Sequence, residues 1–154
     1  MSADKEYYPM PFFPILSAKD IKFSTQWYQE ALGFQKIFEM PAPDGTPVLV
    51  HLRWAKYADL LLSAGINKKE EKVDEKGKGI TLNFQVFQGG VDELAKMARD
   101  YGAVMLSAPH NTPWNTREFS VADPDGFHLT FTQGPVRNDL DIDDVIRNIE
   151  PLGN

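Results

Sequence analysis

Apolar and polar positions follow the same order twice along this chain. In each half a short apolar run comes first, a stretch with apolar residues at helical spacing follows, and three more runs of strand length complete the half. The predicted helix faces consist of Ile21, Ser24, Trp27, Tyr28 and Ala31 in the first half and of Val91, Leu94, Ala95 and Ala98 in the second. The predicted strands cover residues 12–18, 34–39, 48–54 and 59–63, and then 80–87, 103–106, 118–122 and 127–132. Each half is therefore predicted to be a βαβββ unit.

Matched spacings support a tandem repeat. Gly33 and Gly102 each end a predicted helix and lie 69 residues apart, as do Leu60 and Leu129. A four-stranded sheet with one helix keeps an uncovered face, so two such sheets gain by packing together, and a concave trough between them can hold a ligand. The predicted fold class is α+β, with tandem βαβββ modules whose two apposed mixed sheets form a trough, plus a short C-terminal helix.

The order of these elements predicts one domain made of five parts. An N-terminal arm covers residues 1–10, the first module covers 11–65, and the second module covers 80–134. The segment between the modules, 66–79, is rich in Lys and Glu and is typical of a solvated linker. The acidic tail, 135–154, places Leu140, Val145 and Ile146 near helical spacing, and Asp139 is expected to cap that short helix.

The composition excludes several classes of function. The chain of 154 residues has no cysteine, which removes disulfides, thiolate nucleophiles and Cys-bound zinc. Its net charge is −6, and because phosphate binding needs clustered Lys and Arg, no nucleic-acid partner is expected. No apolar run approaches the roughly 18 residues of a membrane span, and no secretory signal is visible at the N-terminus. We therefore expect a cytoplasmic protein with no membrane partner.

The segment from Pro113 to Gly126 has the form P-W-x-x-R-E-F-x-x-x-D-P-D-G, and the first half contains Trp27-Tyr28 followed by Leu32-Gly33-Phe34. In order and spacing these pieces resemble the vicinal oxygen chelate superfamily of glyoxalases, extradiol dioxygenases and bleomycin-resistance proteins, and most closely its bleomycin-resistance branch. Two positions depart from that pattern. Asn115 stands where the branch has glycine, and Gly89-Gly90 lengthens the second strand–helix turn.

The resemblance also implies where a metal would bind. Metal enzymes of this superfamily use four ligands, usually His or Gln at the start of each module and Glu at its end. In this chain those positions fall on Phe13, Leu61, Thr81 and Thr130. None of these residues supplies the imidazole or carboxylate that a catalytic divalent ion needs, so neither a metal nor another cofactor is expected.

Strand alternation indicates which side chains face the trough. The predicted ligand-binding residues are Phe13, Leu61, Ser63, Thr81, Asn83, Gln85, His128 and Thr130, with Ile15 beside them and Trp114 at the rim. This lining is aromatic, apolar and neutral-polar, which suits stacking on a flat ring or on a cation. Arg117 and Glu118 are expected to fix the Trp114 loop by hydrogen bonds. Residues 123–126 are expected to form a tight turn.

Two functions stay open on this evidence. The first is a non-catalytic, homodimeric protein of the bleomycin-resistance type that sequesters a planar or cationic, antibiotic-like small molecule in clefts shared between subunits, as the resemblance implies. The second is a glyoxalase-like metal-dependent lyase or isomerase, or a dioxygenase, with a displaced metal site. That site would use His51 and His128 with an oxygen from Asp59 or Gln85.

Overall fold

The computed structural model describes residues 5–64 and 77–149. The first half contains β1 (Ile15–Ala18), α1 (Ile21–Leu32), β2 (Gln35–Pro41), β3 (Pro47–Ala55) and β4 (Ala58–Ala64). The second half contains β5 (Thr81–Gln85), α2 (Val91–Tyr101), β6 (Val104–Asn111), β7 (Arg117–Ala122) and β8 (His128–Gln133), and α3 (Ile142–Ile149) follows it. The predicted linker at 66–79 lies outside the described residues except for 77–79.

Each half forms one four-stranded mixed sheet with the same topology. The strand orders are β1-β4-β3-β2 and β5-β8-β7-β6. In both sheets the first strand pairs in parallel with the last, and the other pairs are antiparallel. The predicted α+β fold with tandem βαβββ modules and a short C-terminal helix is confirmed. The module boundaries at 11–65 and 80–134 stay a prediction.

Both long helices end in the same way. Gly33 and Gly102 follow α1 and α2 with φ of 82° and 99°, in the left-handed region that only glycine adopts without strain. The Gly33 N–H donates to the Gln29 carbonyl oxygen and the Phe34 N–H to that of Tyr28, each at 3.0 Å. The start of α1 is capped by Asp20, whose side chain accepts a hydrogen bond from the Phe23 N–H at 3.0 Å. The 69-residue spacing of Gly33 and Gly102 in the sequence therefore corresponds to equivalent C-terminal ends of α1 and α2.

One hydrophobic core joins the two halves. Trp54 of β3 packs edge-on against Phe84 and Phe131 of the second sheet, with ring centroids 6.3 and 5.0 Å apart. Phe34 bridges the same group, since its ring lies 5.4 Å from those of Trp54 and Phe84. The helices also contact each other, and each covers the inner face of its own sheet. These contacts hold the halves as one packed body.

The turn at 123–126 forms a second link between the halves. As predicted it is a tight turn, in which Asp123 Oδ1 accepts hydrogen bonds from the N–H groups of Asp125 and Phe127. Its carboxylates also bind the first half, which no local pattern predicted. The Tyr28 hydroxyl donates to Asp123 Oδ2 at 2.7 Å, and the Lys19 N–H donates to Asp125 Oδ1 at 2.9 Å. Burial raises the pKa of Asp123, and it raises that of Tyr28 well above 10.0.

Several element boundaries differ from the sequence expectations: β2 runs to Pro41 rather than to 39, and β5 ends at Gln85 rather than at 87. β1 begins at Ile15 rather than at 12, because Pro14 has no N–H for the ladder. β6 runs to Asn111 rather than to 106, since an edge strand tolerates Pro109. The last helix is capped by Asp141, whose side chain accepts the Asp144 N–H at 2.9 Å, so the expected cap at Asp139 is wrong. Asp139 instead forms an ion pair with Arg137.

None of the helices in the described ranges is long and apolar enough to span a membrane.

Candidate functional site

The outer face of the first sheet, away from the helices, is here called the first open face. Strand register places Ile15, Leu61 and His51 side by side across it. Phe38 lies opposite His51, and Met40 lies opposite Leu49. The large apolar side chains Phe13, Ile15, Phe38 and Met40 are exposed. This face therefore presents an apolar, partly aromatic surface to its surroundings.

The corresponding face of the second sheet, the second open face, has a different chemistry. Thr81 lies beside His128, and Asn83 lies beside Thr130, with Ser120 on the other side of Thr130. The hydroxyl oxygens of Ser120 and Thr130 are 2.7 Å apart and share a hydrogen bond. Thr130 is buried, whereas Thr81, Asn83, Gln85 and His128 are exposed. This face is neutral and rich in hydrogen-bonding groups.

The predicted lining residues thus fall into two groups. Leu61 and Ser63 share the first open face, with Phe13 two residues before Ile15. Thr81, Asn83, Gln85, His128 and Thr130 share the second open face. Within the described parts of the chain, no strand pair joins the two sheets. The assignment of these residues to ligand binding stays a prediction.

Trp114 lies half-exposed in the turn between β6 and β7. The turn is fixed by Thr112 and Thr116, whose hydroxyl oxygens are 2.8 Å apart, and by the Asn115 amide, which bonds the Arg137 backbone. Asn115 has a φ of 69°, a conformation that asparagine tolerates, which explains how it replaces the expected glycine.

Arg117 contributes to fixing this turn, because its guanidinium donates a 3.0 Å hydrogen bond to Asn111 Oδ1 at the base of the turn. The same guanidinium also donates two hydrogen bonds of 2.7 Å to Asp92 in the first turn of α2. This bond lowers the pKa of Asp92. Glu118 accepts a long hydrogen bond of 3.5 Å from the Thr116 hydroxyl in the turn. By register with Thr132 it lies on the second open face, where it is a carboxylate among neutral groups.

A buried polar cluster at the edge of the first open face brings together His51 and Asp59, two of the residues of the alternative metal site, but joins them to Arg53 and Tyr8, which the sequence did not predict. Asp59 Oδ1 is 2.8 Å from His51 Nε2 and accepts a hydrogen bond of 2.6 Å from Arg53 Nε. Asp59 Oδ2 accepts a hydrogen bond of 2.8 Å from the Tyr8 hydroxyl, which comes from the N-terminal arm. The Arg53 guanidinium stacks on the Tyr8 ring at 4.3 Å from its centroid. His51 is therefore held by a structural ion-pair cluster.

Comparison with known families gives one clear result. Residues 13–131 match the model described as the Glyoxalase/Bleomycin resistance protein/Dioxygenase superfamily. The chain belongs to this superfamily. The predicted relationship is thereby confirmed at the level of the superfamily. Comparison with curated proteins gives no match.

Solved structures of this superfamily share the fold. TioX from Micromonospora sp. ML1 is 22% identical, with a TM-score of 0.60 over 82% of this chain and 97% of that one. UcmS2 is 15% identical, with a TM-score of 0.62 over 82% and 98%. A glyoxalase/bleomycin resistance protein from Streptomyces sp. CB03234 is 22% identical, with a TM-score of 0.58 over 79% and 97%. At these identities the similarity extends to the fold alone.

The metal positions of the superfamily can now be located in the fold. Leu61 lies on the first open face, Thr81 and Thr130 lie on the second, and Phe13 precedes β1. Apolar side chains and threonine hydroxyls do not fit a catalytic divalent ion. In residues 5–64 and 77–149 no three His, Cys, Asp or Glu side chains lie close enough to hold one. The alternative set is thus not assembled within one chain, because His51 and Asp59 belong to one sheet and His128 to the other.

Proposed function

We propose that this protein binds a small, planar or cationic, antibiotic-like molecule and sequesters it in the cytoplasm without reaction. The observation that carries this proposal is the chemistry of the two open faces. One face offers exposed apolar and aromatic side chains, and the other offers neutral hydrogen-bonding groups. Ligand sites in proteins combine an apolar lining with a few polar groups in this way. Sequestration needs only affinity and enough protein, so it requires no catalytic group.

The single carboxylate of Glu118 supports the cationic option. The strand register places it between Thr132 and His110, and among the described residues its side chain accepts one hydrogen bond, the long one from Thr116. A cation placed on this face therefore finds a counter-charge without displacing an existing ion pair. An aromatic cation could also stack on Phe13 or Trp114, both of which are exposed.

We further propose that the functional unit is a homodimer. Phe13 and Ile15 at one edge of the first sheet and Phe38 and Met40 at the other are exposed apolar side chains on one face, and such surfaces mark sites of association. A second copy can cover the first open face with its second open face. Because each subunit covers the other in this way, the dimer has two equivalent clefts, and each cleft is lined by both groups of predicted residues.

Ligand binding is expected to raise the melting temperature of the protein. At a concentration near 100 times Kd the stabilisation is about 2.7 kcal/mol, which corresponds to roughly 5–10 °C for a domain of this size. The measurement is a thermal-shift screen of chelator-treated protein against metal-free bleomycin, proflavine, ethidium and divalent metals. Phe13→Ala should weaken binding about tenfold, since it removes a stacking surface. Phe23→Ala, on the exposed surface of α1, is the matched control and should leave affinity unchanged.

A thermal shift caused by a metal ion rather than by an organic compound would favour the glyoxalase-like metal enzyme. Stabilisation by Zn, Ni, Mn or Fe alone, abolished by His128→Ala, would overturn the binding-only proposal.

The dimer is tested by its mass in solution. Wild-type protein is expected to sediment at twice its chain mass of 17.4 kDa. Phe38→Lys should shift it to the monomer, because a charge placed on the first open face must be desolvated on association. Phe23→Lys should leave the dimer intact. A monomeric wild type, or equal effects of the two substitutions, would contradict the assignment of the interface.

A further inference from the structure

A separate cavity of about 850 Å³ lies where the two halves meet, and we call it the junction cleft. It is bounded by the end of α1 and the end of β3 in the first half, and by the chain leaving β5 in the second. The Trp54 indole N–H donates to the Gln85 carbonyl oxygen at 2.9 Å and so ties the halves together at this point. The junction cleft shares no residue with the predicted trough lining.

Aromatic rings form much of its wall. Tyr8, Phe34, Trp54 and Phe87 all line it. Phe34 and Trp54 are fixed by their mutual contact and by the core behind them, whereas Phe87 is 75% exposed. Fixed ring faces on one side and an exposed ring on the other suit a flat ligand that stacks between them. The cavity is several times larger than a two-ring molecule needs.

The charges around the junction cleft are already balanced. Arg53 is paired with the fully buried Asp59 at 2.6 Å. Lys56 pairs with Glu6 at 3.6 Å, and both of these side chains are about half exposed. An ionic ligand would have to compete with one of these pairs, so the surroundings favour a neutral ligand.

One polar atom of the wall lacks a partner. The Gln35 side-chain oxygen Oε1 is buried, and no hydrogen bond satisfies it among the described residues. Burying a carbonyl oxygen without a donor is unfavourable, and most buried polar atoms in proteins are satisfied. Gln35 lines the junction cleft, so a ligand bound there can supply the missing donor.

From these contacts we infer that the junction cleft is a second binding site, for a neutral planar molecule whose N–H donates to Gln35 Oε1. The rings of Trp54 and Phe87 hold the plane of the ligand, and Gln35 sets its orientation. This site uses none of the predicted trough-lining residues, although Gln35 and Arg53 lie at one end of the first open face by register.

The three tryptophans allow the two sites to be told apart. Trp27 is buried in the core, Trp54 lines the junction cleft, and Trp114 lies in the β6–β7 turn. Their indole N–H signals can be followed in ¹⁵N-labelled full-length protein by NMR during titration. The probes are 2-quinolinone and 1-methyl-2-quinolinone, which are both neutral and planar and differ in one N–H donor. We expect 2-quinolinone to shift the Trp54 signal and to leave Trp114 unmoved.

The donor is tested by the pair of probes and by one substitution. The N-methyl probe should bind roughly three- to tenfold more weakly than 2-quinolinone, as expected for one lost hydrogen bond. Gln35→Met keeps the side-chain volume and removes the acceptor, so the two probes should then bind equally. Thr130→Val, on the second open face, should preserve the discrimination of the wild type. No Trp54 shift with either probe, a shift of Trp114 alone, or discrimination that survives in Gln35→Met would each overturn the inference.

Discussion

Phe131→Ala is expected to lower the free energy of unfolding by roughly 3–5 kcal/mol, as large truncations in well-packed cores do. Phe131 is fully buried at the centre of the aromatic group that joins the halves. Its ring stacks on those of Phe84 and Phe119, each at 5.3 Å, and meets the Trp54 ring at 5.0 Å. Few of these rings can move into the resulting cavity, because each is fixed by another. Urea unfolding monitored by circular dichroism measures the effect.

Phe87→Ala is the matched control for this substitution. Phe87 is 75% exposed, so its removal should change stability by no more than about 0.5 kcal/mol. A loss below about 1 kcal/mol in Phe131→Ala would show that the halves are held by other contacts.

Arg53→Met is the second substitution with a large expected effect. It leaves the Asp59 carboxylate, whose side chain has no solvent exposure, without its closest cation. Removing one partner of a buried ion pair costs roughly 3–5 kcal/mol, because the remaining charge stays desolvated. Lys56→Met provides the control, since Lys56 and Glu6 are exposed and such pairs contribute about 0–1 kcal/mol. Thermal and urea unfolding of both variants give the comparison.

A second substitution separates charge from packing at this site. Adding Asp59→Asn to Arg53→Met removes the unpaired charge, so part of the lost stability should return. The contrary result is a loss of unfolding free energy in the double variant that equals the sum of the losses in Arg53→Met and Asp59→Asn. That result would show that the two residues do not interact and that the ion pair contributes no stability.

The repeated fold was predictable because its signals are local. The 3.6-residue period of each helix face and the glycines that end the helices at 33 and 102 depend on neighbouring residues only. Alternation along the strands likewise shows which residues share a face, so Thr81, Asn83 and Gln85 were correctly grouped.

Contacts between distant residues were not predictable. The bonds from Tyr8 to Asp59 and from Tyr28 to Asp123 join residues 51 and 95 positions apart, and no period in the sequence marks them. Arg117 was placed with its neighbours in the chain, but its other partner, Asp92, is 25 residues away on another element. The junction cleft was not predictable either, because its walls come from the N-terminal arm, the first half and the second half, which are far apart in the sequence.

Binding without reaction is measured most directly by the fate of a bound molecule. Chelator-treated protein is incubated with whichever compound of the thermal-shift set stabilises it most, separated from free compound and denatured. The amount and the molecular mass of the released compound are then determined by mass spectrometry. We expect a stoichiometric amount with unchanged mass, and less of it from Phe13→Ala. A compound of altered mass, formed in excess of the protein, would contradict sequestration and identify the protein as an enzyme.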